Sequence, residues 1–413
     1  MRIETLTVMS PALPDGEPVP ADGSLPVHAR AGLGRAPFGI YVHIPFCATR
    51  CGYCDFNTYT ASELPGLSTS SYVDVALAEL RLADEVLGYA APTVQTVFFG
   101  GGTPSLLPAE HLGLLVREIT DRFGLAPGAE ITTEANPESV TEAYFSRLRE
   151  AGFTRISLGM QSAVEPVLAV LDRQHTPGRA VDAVAEARRA GFEHVNLDLI
   201  YGAPGESEAD WQRSLDVAVA AGPDHVSAYA LIVEPGTRMA RQVARGELST
   251  PDDDVLADRY TQAEQTLSAG GFRWYEVSNW ARNAGAQCRH NMLYWNSGDW
   301  WGIGPGAHSH IGGVRWWNVK HPAAYAKRLH SGETPAQARE VLTPAQQRAE
   351  RVLLRIRLAD GLALAEIPAA RRAEAGRMRT YGLLDRSAYD AGTALLTLRG
   401  RLLADAVVRD LVE

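Results

Sequence analysis

The stretch that decides the fold runs from Phe38 to Phe56 and reads "FGIYVHIPFCATRCGYCDF". Its first seven residues are mostly β-branched and aromatic, which predicts a buried strand. Three cysteines follow with the spacing C-x3-C-x2-C, namely Cys47, Cys51 and Cys54. The stretch therefore predicts a strand whose carboxyl end leads directly into a loop that binds a metal ion or a metal cluster.

The same strand-like pattern recurs five times downstream, and each run is followed by a longer amphipathic segment. The six predicted strands are "FGIYVHI", "VQTVFFG", "AEITTEA", "RISLGMQ", "HVNLDLIYG" and "HVSAYALIV". Most of the predicted helices between them end at a glycine, which is a common helix stop. Six βα units in series predict an α/β protein with a parallel sheet, either doubly wound or a partial TIM-like barrel.

Polar and glycine-rich signatures distinguish these two architectures. They follow all six strands: the cysteine loop, "GGGTPS", "TEANPES", "GMQS", "DLIYGAPGES" and "YALIVEPGT". A barrel gathers all its strand-end loops on one face, whereas an open sheet concentrates function at one switch point. We therefore expect a partial (βα)6 barrel over residues 38–236.

Three further segments are predicted outside the barrel. Residues 1–37 are rich in Pro, Gly and Ala, which is typical of a flexible tail. Residues 237–342 predict an extension with a helix, a strand "RWYEVSNWA" and an aromatic, glycine-rich region. Residues 343–413 begin with Thr343 as an N-cap before Pro344, and their "TLRGRLL" run predicts a hairpin with an Arg-Gly turn, so that we expect a small winged-helix-like domain.

Composition restricts the class of protein. Lys and Arg number 39 against 49 Asp and Glu, a net charge of −10, which argues against nucleic acid or an anionic membrane as the main partner. Three of the four cysteines share one loop, which does not resemble a disulfide framework and indicates a reducing, cytoplasmic compartment. Neither an export signal nor an apolar run of about 18 residues is present, so no membrane-spanning helix is expected.

Two chemistries suit the cysteine loop. Three thiolates can hold three irons of a [4Fe-4S] cluster and leave the fourth iron open to a ligand. A zinc site completed by His43 or Cys288 is the alternative. The spacing alone favours the cluster, because zinc sites more often pair two C-x2-C knuckles.

The context of the loop adds a family resemblance. C-x3-C-x2-C after the first strand of a βα barrel, with "GGGTP" after the second, resembles the radical S-adenosylmethionine (SAM) superfamily. The resemblance implies that SAM chelates the open iron through its amino and carboxylate groups. Gly100, Gly101 and Gly102 would then let the backbone approach the methionine part of SAM. Without the cysteines, the same glycines would indicate an ordinary turn between a strand and a helix.

Four polar residues lie at predicted strand ends where the same ligand would bind. Glu134 is suited to the SAM ammonium group, and Arg173 to a forked pair with the SAM carboxylate. Gln161 and Asp198 are placed to bond the ribose hydroxyls. Each residue alone is as typical of a structurally paired polar side chain, but their joint occurrence at strand ends indicates a binding site.

Longer motifs narrow the resemblance. "YVHIPFC", "NLDLIYGAPGES", "IVEPGT" and the predicted C-terminal domain resemble the oxygen-independent coproporphyrinogen III oxidase family from about Phe38 to the C-terminus. The residues carried over by matching motif are Tyr41, Cys47, Cys51, Cys54, Gly100, Gly101, Gly102, Thr103, Glu134, Gln161, Arg173 and Asp198. The oxidases read C-x3-C-x2-C-x-C, whereas this chain has Phe56 in place of the fourth cysteine. Phe56 therefore indicates the heme-chaperone branch of the family, which keeps the cluster and the SAM site.

A second motif indicates the same branch. His290-Asn291-x-x-Tyr294-Trp295 matches H-N-x-x-Y-W, by which that branch is recognised and to which heme binding is attributed. A neutral imidazole suits heme iron, and the rings of Tyr294 and Trp295 suit a porphyrin face. Further candidates for contact with heme are Cys288, Trp300, Trp301, His308 and His310. By residue chemistry alone, such an aromatic cluster is more often a packed core.

Three functions follow from these features. The favoured one is a heme carrier with a [4Fe-4S] cluster and SAM. Its implied partners are heme, an acceptor heme protein of respiratory type, and a flavodoxin-like or ferredoxin-like electron donor. Delivery to the acceptor would bring the carrier into transient contact with membrane proteins. The second is an enzyme that oxidises coproporphyrinogen III to protoporphyrinogen IX. The third is a winged-helix nucleic-acid reader with structural zinc, based on Arg371, Arg372, Arg377 and Arg379.

Overall fold

The computed structural model describes residues 15–64 and 68–412. The strands are β1 (Phe38–Ile44), β2 (Val94–Gly101), β3 (Leu125–Ala135), β4 (Arg155–Gln161), β5 (His194–Tyr201), β6 (His225–Ala230), β7 (Arg273–Glu276), β8 (Asn279–Ala281), β9 (Asp299–Ile303), β10 (His308–Ile311), β11 (Val314–Asn318), β12 (Ala336–Val341), β13 (Leu362–Ala363) and β14 (Thr393–Ala394). The helices are α1 (Val27–Ala31), α2 (Thr69–Leu87), α3 (Ala109–Phe123), α4 (Glu142–Glu150), α5 (Glu165–Val170), α6 (Arg179–Arg189), α7 (Glu208–Ala220), α8 (Arg238–Ala244), α9 (Asp253–Ala269), α10 (Arg289–Trp295), α11 (Pro322–His330), α12 (Pro344–Arg355), α13 (Arg372–Thr380), α14 (Arg386–Asp390), α15 (Leu398–Leu402) and α16 (Ala404–Val412). The six predicted βα units are confirmed.

One twelve-stranded sheet organises most of the chain. Strands β1 to β6 lie side by side in sequence order and are parallel, and β9 adds a further parallel strand beside β1. Antiparallel strands extend both edges, β10 to β12 beyond β9 and β8 with β7 beyond β6. The sheet fits a partial TIM-like barrel that is wider than the six strands predicted.

The predicted strand "RWYEVSNWA" is a hairpin, so the prediction of a single strand was wrong. Strand β7 pairs with β8 in antiparallel register, with Arg273 opposite Ala281. Ser278 between them has a left-handed backbone with φ of 84°, which reverses the chain. The turn could not be recognised in the sequence, because the run around it is rich in β-forming residues.

The two faces of the sheet differ in chemistry. Ile40, Val42 and Val97 alternate onto the outer face, where they join the main apolar core. Tyr41, Phe98 and Thr132 are neighbours in register on the other, inner face. Successive residues of a strand point to opposite faces, so this inner face collects the polar residues of β1 to β6. A polar inner face at the centre of a barrel is suited to a ligand.

The N-terminal segment is packed from residue 15 onward. Glu17 forms a bridge with Arg339 of β12, and its carboxylate also pairs with that guanidinium at 2.8 Å. Ala29 of α1 is fully buried in the main core. The prediction of a flexible tail was therefore wrong for residues 15–37, because they cover the free edge of β12. The same prediction for residues 1–14 lies outside the described residues.

The C-terminal unit is mainly helical. Helix α12 begins as predicted, with Thr343 and Gln346 forming a capping box. The predicted Arg-Gly hairpin was wrong, because Thr397 caps α15 at Gly400 and turns that run into a helix. The only strand pair described in this unit is β13 with β14. Across the described ranges, no helix is long and apolar enough to cross a lipid bilayer.

Candidate functional site

The three predicted cluster ligands share one loop at the carboxyl end of β1. All three thiols are partly buried and free of disulfides. The backbone N–H of Cys47 donates to the carbonyl of Tyr59 at 2.9 Å, which fixes the start of the loop. Burial raises the pKa of the Cys54 thiol to about 11, with a further contribution from the neighbouring Cys51 and Cys47. The Cys54 thiol is therefore protonated, and iron binding would displace its proton.

The zinc alternative lacks a fourth ligand in this arrangement. His43 donates from Nε2 to the carbonyl of Asn57 at 2.9 Å, and its Nδ1 accepts from the Tyr41 hydroxyl at 3.1 Å. Cys288 lies elsewhere, with its Sγ 3.7 Å from Glu130. Within the described ranges, no three His, Cys, Asp or Glu side chains converge on one metal position. A cluster fits better, because it takes each thiolate on a separate iron.

The glycine segment after β2 packs against the cysteine loop. A Cβ at Gly101, whose φ is 110°, would lie 2.6 Å from the His43 ring. The N–H of Gly102 donates to the carbonyl of Ile44 at 2.8 Å, and that of Thr103 to Phe46 at 2.7 Å. The Thr103 hydroxyl is 3.9 Å from the Cys47 sulfur. The glycines are thus required by contact with the protein itself, and their approach to SAM stays a prediction.

Two carboxylates lie on the inner face, Glu134 near the end of β3 and Asp198 in the middle of β5. Glu134 accepts from the N–H of Gly101 at 3.2 Å, and burial together with the nearby Asp198 raises its pKa to about 8. Asp198 accepts from Ser157 Oγ and Asn196 Nδ2, each at 2.7 Å. A cationic ligand beside Glu134 would favour its ionised form, as an ammonium group does.

Gln161 and Arg173 converge at the end of β4. A Cβ at Gly159 would lie 2.8 Å from Gln161 Nε2 and 3.3 Å from Arg173 Nη2. Gln161 is buried and has a left-handed backbone with φ of 65°, which is unusual for a residue other than glycine. The Arg173 guanidinium is buried, which by itself lowers its pKa, but the nearby Tyr53 and Cys51 more than offset this and leave the pKa raised. The structure therefore brings the predicted SAM residues together around the cysteine loop.

Phe56 lies in the same loop and is exposed. Its side chain is 62% accessible, and its carbonyl accepts from the N–H of Thr58 at 2.7 Å. An apolar ring on the surface of the loop cannot replace a thiolate as an iron ligand. The loop thus offers three thiolates.

The H-N-x-x-Y-W motif lies at the opposite end of the inner face. It forms α10, which packs on β1 and β2 near their amino ends. Glu130 of β3 accepts from the backbone N–H groups of Arg289 at 3.2 Å and His290 at 3.1 Å. This buried carboxylate satisfies the first turn of α10 and pairs with Arg155 at 3.1 Å. The structure therefore does not bring His290 next to the cysteines.

His290 is engaged on both ring nitrogens. Its side chain is 1% exposed; Nδ1 is 2.8 Å from Thr96 Oγ1, and Nε2 is 2.7 Å from the Tyr294 hydroxyl. Burial lowers its pKa to about 3, so the ring is neutral. Burial raises the pKa of the nearby Glu276 to about 8, and the side chains of Asn291 and Trp295 partly offset this increase. As arranged, the four motif residues fasten α10 to the barrel, and neither nitrogen of His290 is free for iron.

The remaining aromatic candidates have different surroundings. Trp301 is buried in the outer core, where its ring packs on Trp316 at 4.9 Å. Trp300 is partly exposed and donates from Nε1 to the carbonyl of His308 at 2.9 Å. His310 donates from Nδ1 to the carbonyl of Gly298 at 2.9 Å. Trp300 contacts Tyr294 at 4.6 Å between ring centroids, so it continues the motif towards the surface.

Two ring contacts connect the ends of the inner face. Tyr41 stacks on Phe98 at 6.3 Å between centroids, and Phe98 stacks on His290 at 5.2 Å. The hydroxyl of Tyr41 also bonds His43 beside the cysteine loop. A series of ring contacts therefore runs from α10 to the side of the cysteine loop.

A buried polar network between the two ends was missed. Arg155 donates to the carbonyls of Ala286 and Gln287 at 2.6 and 2.9 Å, and His225 bonds Asn196 at 2.6 Å. The sequence signal was present, because polar residues alternate with apolar ones in "RIS" and "HVNLD". These residues hold the extension onto the barrel strands.

Most of the arginines on which the hypothesis of a nucleic-acid reader rests form hydrogen bonds or ion pairs within the protein. Arg372 donates to the carbonyls of Ile367 and Ala365, Arg377 pairs with Glu374, and Arg379 pairs with Asp390 at 2.8 Å. Arginines that are paired within their own domain form a weak phosphate-binding surface.

Comparison with known proteins identifies the family. The Radical SAM superfamily model matches residues 41–218. The heme chaperone HemW of Mycobacterium tuberculosis H37Rv is 56% identical over 382 residues, which cover 92% of this chain and 96% of that protein. HemW of Escherichia coli K12 is 40% identical over 277 residues, covering 67% and 70% respectively. The structure of coproporphyrinogen III oxidase (HemN) from Escherichia coli, a radical SAM enzyme, matches with a TM-score of 0.78 at 22% identity over 95% of this chain and 94% of that one, which shows a shared fold. The chain therefore belongs to the HemW family of the radical SAM superfamily.

Proposed function

We propose that this protein is a heme chaperone, which binds heme and passes it to an acceptor heme protein of the respiratory type. One observation carries the proposal: 56% identity extends over 96% of a protein named heme chaperone HemW. Phe56 supports it, because the loop lacks the fourth cysteine of the oxidase pattern. The likeness to HemN is a likeness of fold alone and does not assign the oxidase reaction to this protein. That reaction is the second candidate function.

Membership of the radical SAM superfamily implies a [4Fe-4S] cluster and SAM. Cys47, Cys51 and Cys54 would hold three irons, with Thr103 beside the first sulfur. When bound and reduced, the cluster supplies an electron that can cleave the SAM sulfonium. We propose that this pair governs heme handling and that an electron donor of the flavodoxin or ferredoxin type reduces it.

Four of the predicted residues would each contact a different part of the SAM molecule, although Arg173 follows α5 and Asp198 lies within β5 and neither is at the end of a strand. We propose that Arg173 binds its carboxylate, because a guanidinium offers two parallel donors. Glu134 takes the amino group, for which its raised pKa leaves it ready to ionise beside a cation. Gln161 and Asp198 bind the ribose. Tyr41 supports the site indirectly, because its hydroxyl bonds His43 beside the cysteine loop.

Heme binding at His290 needs a change in α10. Both ring nitrogens are hydrogen bonded and the side chain is almost fully covered. We propose that α10 moves away from Thr96 before the imidazole binds iron, and that Tyr294 and Trp295 move with it to face the porphyrin. The ring contacts through Phe98 and Tyr41 offer a route by which the loaded cluster loop biases this movement.

An anaerobic titration of heme into cluster-reconstituted protein tests the proposal. We expect saturable binding with a shifted Soret band, which His290→Ala weakens and His330→Ala, at an exposed histidine, leaves unchanged. Circular dichroism of each variant separates loss of the ligand from loss of the fold. Absence of saturable binding, with protoporphyrinogen IX formed at catalytic turnover, would replace the chaperone with the oxidase.

A further inference from the structure

A cleft of about 850 Å³ opens beside the cysteine loop, and residues 172–177 line one of its sides. This segment packs on the loop, since a Cβ at Gly52 would collide with the Asp172 carboxylate. Leu168 and Glu138 complete the walls near Arg173 and His175. The cleft thus lies next to the predicted cluster, and of the predicted SAM residues Arg173 lines it.

Two of the residues that line this cleft each have a side-chain nitrogen without a partner. Arg173 Nε and His175 Nε2 are both buried, and neither has a hydrogen-bond partner in the part of the chain that the structure describes. A buried polar group that has no hydrogen-bond partner destabilises the folded state. Two such groups, two residues apart in one cleft, indicate a polar ligand that supplies the missing partners.

The surroundings of His175 define what it can bind. Glu138 accepts from the N–H of Thr176 at 2.6 Å and from its hydroxyl at 3.2 Å, which fixes the segment. Of its two ring nitrogens, Nε2 is the one that is buried without a partner. With the proton on Nδ1, the neutral ring presents the lone pair of Nε2. Burial and the adjacent Arg173 lower the pKa of His175, which keeps the ring neutral.

A guanidinium donor next to a neutral nitrogen acceptor matches an α-amino acid group. The carboxylate of such a group suits Arg173, and its amino N–H suits Nε2 of His175. We propose that His175 is a further SAM-binding residue, which accepts a hydrogen bond from the amino group of SAM while Arg173 binds the carboxylate. The inference rests on the proposed SAM site and adds a residue to it.

Equilibrium dialysis of two ligands tests the assignment in cluster-reconstituted protein of measured iron content. SAM carries the amino acid group, whereas 5′-methylthioadenosine lacks it. His175→Ala should weaken SAM about tenfold, the value of one hydrogen bond to a charged group, and leave 5′-methylthioadenosine unchanged. His175→Gln should restore most of the affinity, because its amide oxygen can replace Nε2. His330→Ala is the matched control.

The outcomes separate this inference from the proposed function. Equal weakening of both ligands, or of neither, overturns the role of His175. The spectrum of the reduced cluster gives a second readout, since the change that SAM causes in its electron paramagnetic resonance should need more SAM in His175→Ala. Heme titration of the same variant should match the unsubstituted protein, so a failed chaperone proposal would appear there and not in SAM binding.

Discussion

The Nε2 atom of His290 lies 2.7 Å from the hydroxyl oxygen of Tyr294, one helical turn further along α10. Both residues belong to the motif to which heme binding is attributed, and they satisfy each other inside the protein. Iron and the Tyr294 hydroxyl therefore compete for one nitrogen. We expect the free state of the protein to keep this histidine away from heme until α10 moves.

Tyr294→Phe removes the competing hydroxyl and should strengthen heme binding. A hydrogen bond of this kind contributes about 1 kcal/mol net, so the affinity should rise roughly fivefold. Stopped-flow absorbance in the Soret region measures both the rate and the amplitude. Tyr381→Phe, at an exposed tyrosine, is the control. Unchanged binding would show that His290 is not the ligand.

Cys51→Ala should abolish the cluster and leave the fold intact. The substituted side chain lies in a partly buried loop outside the main core, whereas its thiolate is one of three irreplaceable ligands. Iron and sulfide analysis after anaerobic reconstitution reports the cluster, and circular dichroism reports the fold.

Cys288→Ala distinguishes this from a general effect of losing a thiol. Cys288 lies at the start of α10 beside Glu130, at the other end of the inner face. We expect its variant to bind the full amount of iron and sulfide. Loss of the cluster in Cys288→Ala would contradict the three-cysteine site.

Gly102→Ala should disturb the cysteine loop. An added Cβ would collide with the carbonyl oxygen of Phe46, one residue before Cys47, and cannot be relieved by turning a side chain. Such overpacking costs about 1 to 3 kcal/mol, and the displaced loop should lose cluster content. Gly376→Ala is the matched control, because its Cβ meets only Tyr389 Oη at 3.5 Å. Equal iron content in both variants would disprove the role of Gly102.

How much of this could be read from the sequence depends on the range of the interactions. Strands β1 and β4 have the predicted bounds, because their apolar runs and stops are local signals. The cysteine spacing is equally local. The hairpin at Ser278 was missed because one residue with a left-handed backbone leaves no periodicity to detect.

The surroundings of His290 could not be predicted, for a different reason. Its partner Thr96 is 194 positions away, and Glu130, which caps α10, is 160 positions away. The motif alone predicts a histidine near aromatic rings, and both an open heme site and a closed core satisfy that description. The same holds for Glu79, whose partners Asn318 and Tyr325 come from distant strands and helices.

Glu79 of α2 is a buried carboxylate at the back of the barrel. It accepts from Tyr325 Oη at 2.5 Å, from the N–H of Gly304 at 2.7 Å and from Asn318 Nδ2 at 2.7 Å. Burial raises its pKa from 4.5 to about 7, against these three hydrogen bonds, which favour the ionised form. The folded protein thus holds this proton more tightly than the unfolded chain does.

This difference predicts a loss of stability as the pH rises. Below pH 4.5, Glu79 is protonated in both the folded and the unfolded state, and its contribution to stability is fully present. Between pH 4.5 and 7 the unfolded chain releases the proton first, so the free energy of unfolding falls by about 3 kcal/mol in total. Above pH 7 the loss is complete. Raised pKa values at Glu134, Glu206 and Glu276 change the stability in the same direction. The contribution of Glu79 is therefore measured as the difference in free energy of unfolding between the unsubstituted protein and Glu79→Gln, whose side chain has no proton to lose. Urea denaturation at pH 5, 6, 7 and 8 should show the variant gaining stability relative to the unsubstituted protein up to pH 7 and no further. Parallel curves would mean that Glu79 has the same pKa in both states and that its three donors offset its burial.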